Sequence, residues 1–188
     1  MYDRYDGLIF DMDGTILDTE QTHRQAWHQV LGRHGLSFDE EAMIGLNGSP
    51  TWKVAQFIIA SHQADLDPHQ LAAEKTVAVK AMLFDTVRPL PLIDVVKTWH
   101  GRKPMAVGTG SEHAMADALL THLNLRHYFD VIVGADDVPR HKPEPDTFLR
   151  CAALMGVAPE KCVVFEDADF GLQAAEAAGM DAVDVRLL

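Results

Sequence analysis

Long apolar runs are missing from this chain. No stretch reaches the roughly 18 consecutive apolar residues that a membrane span needs, and no cluster of Lys or Arg offers a footing on a lipid surface. Cysteine is scarce: Cys151 and Cys162 are the only two, and they form no CxxC or zinc-ligand pattern. The ten histidines contain no HxxxH or HxH pair, which argues against a zinc or iron site. Positive charge is outnumbered, 16 Lys and Arg against 28 Asp and Glu, so the net charge of −12 would repel a nucleic-acid backbone over most of the surface. Internal repeats and low-complexity tracts are also lacking, and nothing before Leu8 resembles a signal peptide, so a cytoplasmic protein is expected. What remains is a chain of 188 residues, 47% hydrophobic, enough for one substantial domain or a core with a smaller insertion. A monomer or weak dimer is the expected state.

Short apolar runs are present and regularly placed. Leu8-Ile9-Phe10, Met105-Ala106-Val107, Val131-Ile132-Val133, Cys162-Val163-Val164-Phe165 and Ala182-Val183-Asp184-Val185 read as strands of a parallel sheet covered on both faces. Between them the period lengthens to about 3.6. Leu92, Val95, Val96 and Trp99 form one helical stripe, Met115, Ala118, Leu119 and Leu123 a second, and Phe148, Ala152 and Met155 a third. The alanine-rich segment 171–178 stops at Gly179, a good left-handed helix terminator. Alternation of this kind predicts an open α/β sheet whose ligands gather beyond the carboxyl ends of the strands. From about Thr19 to Arg88 the alternation breaks, with helical patterns and no convincing strand. We therefore expect a sheet core over residues 1–18 and 89–188 and a helical insertion over 19–88, with Arg88-Pro89-Leu90-Pro91 returning the chain to the core.

The strand ends carry the chemistry. Asp11 and Asp13 follow the first strand, and in an extended chain they would point to different sides and hold different roles. An Asp-x-Asp-Gly stretch is equally a polar turn. That reading weakens once the other strand ends are counted, because Thr109, Lys142 and the pair Glu166-Asp167 would all reach the same edge of the sheet. Carboxylates, one hydroxyl and one ammonium suit phosphoryl transfer from a monoester. A carboxylate can attack a dianionic phosphate only if their repulsion is neutralised, so Mg²⁺ is expected, held by Asp11, the Asp13 carbonyl, Asp167 and the neighbouring Glu166. Asp13 would protonate the leaving alkoxide and then activate water. Thr109 and Lys142 would bind the transferring oxygens, helped by the backbone amides of Gly110 and Ser111 where a helix begins.

These motifs resemble those of the haloacid dehalogenase superfamily: Asp11-Met12-Asp13-Gly14-Thr15 for the first, Thr109 for the second, Lys142-Pro143-Glu144-Pro145 for the third and Glu166-Asp167 for the fourth. The resemblance implies a Rossmann-like core with an inserted α-helical cap, Asp11 as nucleophile and Asp13 as acid and base. It implies a phosphoaspartate intermediate in the hydrolysis of a small phosphorylated metabolite, such as fructose 1-phosphate or 6-phosphogluconate.

The insertion resembles the cap of the subgroup that contains β-phosphoglucomutase. That places His23 facing the substrate, Asn47-Gly48-Ser49-Pro50-Thr51 in the specificity loop and Lys75 near a substrate's polar end. Each has a structural alternative: His23 as a satisfied polar residue, Ser49 as a helix cap before Pro50, Lys75 as an exposed helix lysine. Thr51 stands where the mutase has an arginine for a second phosphate, which weakens a phosphomutase reading. Trp27, Trp52 and Trp99 read as packing residues, and Asp169 as a helix cap or a residue orienting a metal water.

Overall fold

The computed structural model describes residues 2–40 and 51–188, so Asn47, Gly48, Ser49 and Pro50 lie outside the described residues. The chain divides into two compact units, Met1–Asp18 with Arg88–Leu188, and Thr19–Val87.

The first unit is built on a parallel sheet of β1 (Gly7–Phe10), β4 (Met105–Gly108), β5 (Val131–Val133), β6 (Cys162–Glu166) and β7 (Asp181–Asp184), in the order β5-β4-β1-β6-β7. All four residues of β1 are buried, as are those of β4 and all five of β6, which explains why these strands read as unbroken apolar runs rather than alternations. Side chains still divide by face. Ile9 sits in register with Ala106 and Val164. These three join Phe148, Cys151 and Ala152 from α6 (Asp146–Met155) and Ala174 and Ala175 from α7 (Asp169–Ala177) in one core cluster. Their neighbours Phe10 and Phe165 stack at 4.7 Å, with Phe129 and Tyr2 edge-on to them.

Strand order decides where the chemistry gathers. The chain steps outward from β1 through β4 to β5, then crosses to the other side of β1 for β6 and β7. Loops at a point of reversal diverge and leave a crevice at the carboxyl ends of the strands. Asp11 follows β1 directly, Thr109 follows β4 and Glu166 ends β6, so one site receives residues nearly the whole chain apart.

Two departures from the sequence reading have simple causes. Arg88–Pro89 (β3) pairs antiparallel with Leu17–Asp18 (β2), a ladder of two residues on each side, too short to show any periodicity. Val185 leaves the last strand and opens a 3₁₀ turn, where the Asp184 carboxylate accepts the Arg186 amide at 3.0 Å.

The second unit packs α1 (Glu20–Arg33) and α2 (Thr51–Ser61) against α3 (Pro68–Thr86). Helix α3 starts where Asp67 accepts the amides of His69 and Gln70 at 2.7 and 3.1 Å, with Pro68 in the first turn. Trp27 is buried as expected, whereas Trp52 is 38% exposed and stacks on His69. Packing alone does not account for Trp52. No helix among the described residues is long and apolar enough to cross a membrane.

Leu8 is fully buried at the centre of the sheet. Leu8→Ala is expected to cost about 2–5 kcal/mol of stability, read from the shift of the urea unfolding midpoint.

Candidate active site

The loop after β1 is shaped by one carbonyl and one glycine. The Met12 carbonyl accepts the amides of Thr15, Ile16 and Leu17 at 3.3, 3.1 and 2.9 Å, while Gly14 turns at φ +81° and donates to Leu17. A side chain at Gly14 would both strain that turn and run into the Asp167 carboxylate. The glycine of Asp-x-Asp-Gly therefore lets the first and fourth motifs approach each other.

At the centre lies Lys142. Its ammonium donates to Asp11 Oδ1 at 2.6 Å and to Glu166 Oε2 at 2.7 Å, both buried carboxylates. Burial alone would lower the lysine's pKa; the charges of Asp11 and Glu166 outweigh that and hold it above its ordinary value. Glu166 is fixed a second time by the Ala168 amide on Oε1 at 3.1 Å. Helix α7 makes room for it with Gly171, where a methyl group would overlap the Glu166 carboxylate. Asp13 faces other partners: its Oδ2 accepts the hydroxyls of Ser111 at 2.9 Å and Thr109 at 3.3 Å. Asp167 accepts the Thr15 hydroxyl at 3.2 Å.

Asp11, Glu166 and Asp167 can each turn one oxygen to lie within 4.8 Å of the others. These are hard oxygen donors, and they outnumber the Lys142 ammonium by two. The set suits a divalent cation such as Mg²⁺. Burial raises the pKa of Asp11 and Asp167, with Asp13 adding to it for Asp11 and Asp11 adding to it for Asp167. Burial and the charge of Asp11 push Glu166 up to about 8. So many carboxylates resist full ionisation together unless a cation offsets them.

The structure thus brings together Asp11, Asp13, Thr109, Lys142, Glu166, Asp167 and Ser111, and leaves Gly110 exposed in the same loop. The sequence reading gave no role to Thr15, Gly14 or Gly171. The first two stand in the quoted motif; Gly171 carries no local signal, because its demand comes from Glu166 packing on the helix. Asp169 caps nothing by its side chain, which pairs with Arg186 at 2.8 Å.

In the helical unit, Lys75 is 5% exposed, so the alternative of an exposed helix lysine does not hold. Its ammonium lies 2.6 Å from His23 Nδ1 and 5.7 Å from the Trp27 ring centre. Burial, with the charge of Lys75 adding to it, lowers the His23 pKa to about 4. An ammonium only donates. His23 is therefore neutral near pH 7 and carries its proton on Nε2.

The haloacid dehalogenase-like hydrolase profile matches residues 5–179. The chain belongs to that family. It is 73% identical over the full length of both chains to the fructose-1-phosphate phosphatase YqaB of Escherichia coli (strain K12). It is 29% identical to the β-phosphoglucomutase of Bacillus subtilis (strain 168), over 95% of this chain and 82% of that one. A crystal structure of a putative β-phosphoglucomutase from Thermotoga maritima superposes at a TM-score of 0.76 with 28% identity, covering 93% of this chain and 82% of its own. The chain is a phosphoric monoester hydrolase of the haloacid dehalogenase type.

Two outcomes follow for this family member. The native state without metal holds protons on Glu166 that the unfolded chain releases above about pH 4.5, so metal-free stability is expected to fall as pH rises toward about 8. A divalent cation such as Mg²⁺ would bind this set in its ionised form, so thermal melts with and without EDTA should show a larger Mg²⁺-induced Tm rise near pH 8 than near pH 6. Gly171→Ala should displace Glu166 and, through it, Lys142. A displacement of about 1 Å corresponds to a loss of about 10²-fold in kcat/KM, measured by phosphate release.

Proposed function

We propose that this enzyme hydrolyses small sugar phosphates, with fructose 1-phosphate foremost and 6-phosphogluconate as a further substrate, through a phosphoaspartate on Asp11. The observation that carries the mechanism is the Lys142 ammonium held between Asp11 and Glu166 beside Asp167. The substrate class rests on the full-length 73% identity to the Escherichia coli phosphatase.

Mg²⁺, held by Asp11, Asp167 and the Asp13 carbonyl with Glu166 beside them, would screen the approach of a dianionic phosphate to a carboxylate. The chain's own groups do the rest. Lys142 keeps Asp11 aimed and, with the Gly110 amide, receives the transferring oxygens; the phosphate role expected of Thr109 and Ser111 gives way to another, because the Thr109 hydroxyl donates to Asp13 and the Ser111 amide to Thr109. An Asp11 oxygen forms a bond to phosphorus as the P–O bond to the sugar breaks. Asp13 gives its proton to the departing alkoxide. Asp13, now a carboxylate, takes a proton from water, whose oxygen attacks phosphorus and releases Asp11 and inorganic phosphate. His23, Ser49, Thr51 and Lys75 are the residues we assign to selecting the leaving group. The Nε2–H of His23 is suited to a sugar oxygen, because the Lys75 contact sets its tautomer.

A phosphomutase in the manner of the Bacillus subtilis relative would return the phosphoryl group to sugar rather than to water. Thr51 in place of the mutase's arginine speaks against it. Compartment and substrate are consistent in this reading, a cytoplasmic enzyme of carbohydrate metabolism.

With Mg²⁺ present, inorganic phosphate release from a panel of sugar and short-acid phosphates should be greatest with sugar phosphates, vanish reversibly with EDTA and be abolished in Asp11→Asn. An active Asp11→Asn protein would sink the mechanism. Glucose 6-phosphate formed from β-glucose 1-phosphate with a bisphosphate primer, without free phosphate, would favour the mutase.

A further inference from the structure

Ser111 is tied at every polar atom. Its amide donates to Thr109 Oγ1 at 3.0 Å, its carbonyl accepts the Ala135 amide at 2.9 Å, and its hydroxyl donates to Asp13 Oδ2 at 2.9 Å. The first bond occupies a lone pair of Thr109 and turns that hydroxyl's proton toward Asp13 Oδ2, at 3.3 Å. Two O–H donors therefore converge on one oxygen of the Asp13 carboxyl. Ala135 lies in the loop after β5, whose Gly134 leaves no room for a side chain against His113. That loop and the one after β4 are further joined by His113, whose amide and ring bond Asp136 and Asp137 at 2.7 and 2.6 Å. The hydroxyl of Ser111 is thus a fixed point, held by the backbone of two strand ends.

We propose that Ser111 is a positioning residue for Asp13, one that sets the carboxyl for proton transfer to the leaving group and is distinct from a simple phosphate ligand. The proposal rests on the reading of Asp13 as acid and base. With Oδ2 accepting both hydroxyls, the proton that Asp13 delivers is carried on Oδ1. In the first step that proton moves to the ester oxygen as the bond from phosphorus to the sugar oxygen breaks and the bond from Asp11 to phosphorus forms. In the second step Oδ1 recovers a proton from the attacking water as the Asp11–phosphorus bond breaks. Ser111 exchanges no atoms in either step; it holds the plane of the carboxyl between them.

Leaving-group dependence separates this role from phosphate binding. The p-nitrophenolate ion departs without a proton, whereas a sugar alkoxide needs one. Both substrates present the same phosphate. The value of kcat/KM covers events through the first P–O cleavage and is insensitive to the later hydrolysis, so it isolates the acid step.

The experiment measures kcat/KM for fructose 1-phosphate and for p-nitrophenyl phosphate at saturating Mg²⁺ in wild type, Ser111→Ala, Ser111→Thr and Asp13→Asn, with a thermal melt of each variant. Ser111→Ala is expected to lose at least about tenfold more on the sugar phosphate than on the aryl phosphate. Ser111→Thr, which keeps the hydroxyl, should recover most of that difference, and Asp13→Asn should show a larger gap in the same direction. Equal losses on the two substrates in Ser111→Ala, with a gap retained in Asp13→Asn, would overturn the positioning role and leave Ser111 a phosphate ligand. Equal losses in Asp13→Asn would instead overturn the acid role of Asp13 on which the inference rests. Should Ser111→Ala fail to fold, Ser111→Gly carries the same comparison.

Discussion

A lysine ammonium clasped between two buried carboxylates organises the catalytic unit. Lys142 reaches Asp11 and Glu166 at hydrogen-bonding distance, and none of the three side chains is more than 13% exposed. Taking such charges out of water costs several kcal/mol per ion unless geometry and further hydrogen bonds compensate. The compensation is structural. β1 and β6 run parallel and adjacent, which sets Asp11 and Glu166 side by side at one edge, and the Ala168 amide takes the remaining Glu166 oxygen. Gly171 clears the space that the carboxylate occupies and Gly14 clears the space for Asp167. Removing Lys142 or either carboxylate would leave an uncompensated buried charge.

The same cluster explains how an acidic protein handles an anionic substrate. With a net charge of −12, the surface as a whole repels a phosphate monoester. Attraction has to be local and short-ranged. The groups placed to supply it are one lysine, the Gly110 amide past the end of β4 and the carboxylates of Asp11, Glu166 and Asp167, which could hold a hard cation. The two aspartates of the first motif have separate surroundings within this arrangement. Asp11 is buried against the lysine, which suits the proposed nucleophile; Asp13 is half-buried against two hydroxyls, which suits the proposed proton carrier.

The helical unit uses burial differently. Lys75 shares its interior position with His23 and Trp27, and the outcome is a neutral imidazole of fixed tautomer rather than a charge-neutral ion pair. Lys75 stands at helical spacing with Leu71, Ala78 and Met82 in the sequence, and a lysine in such a stripe more often keeps its ammonium in solvent. Trp52 errs in the opposite sense, apolar at helical spacing yet on the surface, because periodicity reports a face and not what covers that face.

The sequence by itself determined the five-stranded parallel sheet, the helical insertion and which groups are candidates for the chemistry. Each of these is encoded locally: an apolar run is buried wherever it lies, and Asp-x-Asp-Gly marks a turn at a strand end wherever the strand packs. Only the tertiary structure decided which groups meet. That Lys142 bridges Asp11 and Glu166, that Ser111 and Thr109 both address Asp13, that Gly171 exists for the sake of Glu166 and that Lys75 is buried are facts about residues distant in the chain. They depend on strand order and on how loops close across the sheet edge, where a contact is set by the three-dimensional path of two segments and leaves no trace in either one alone.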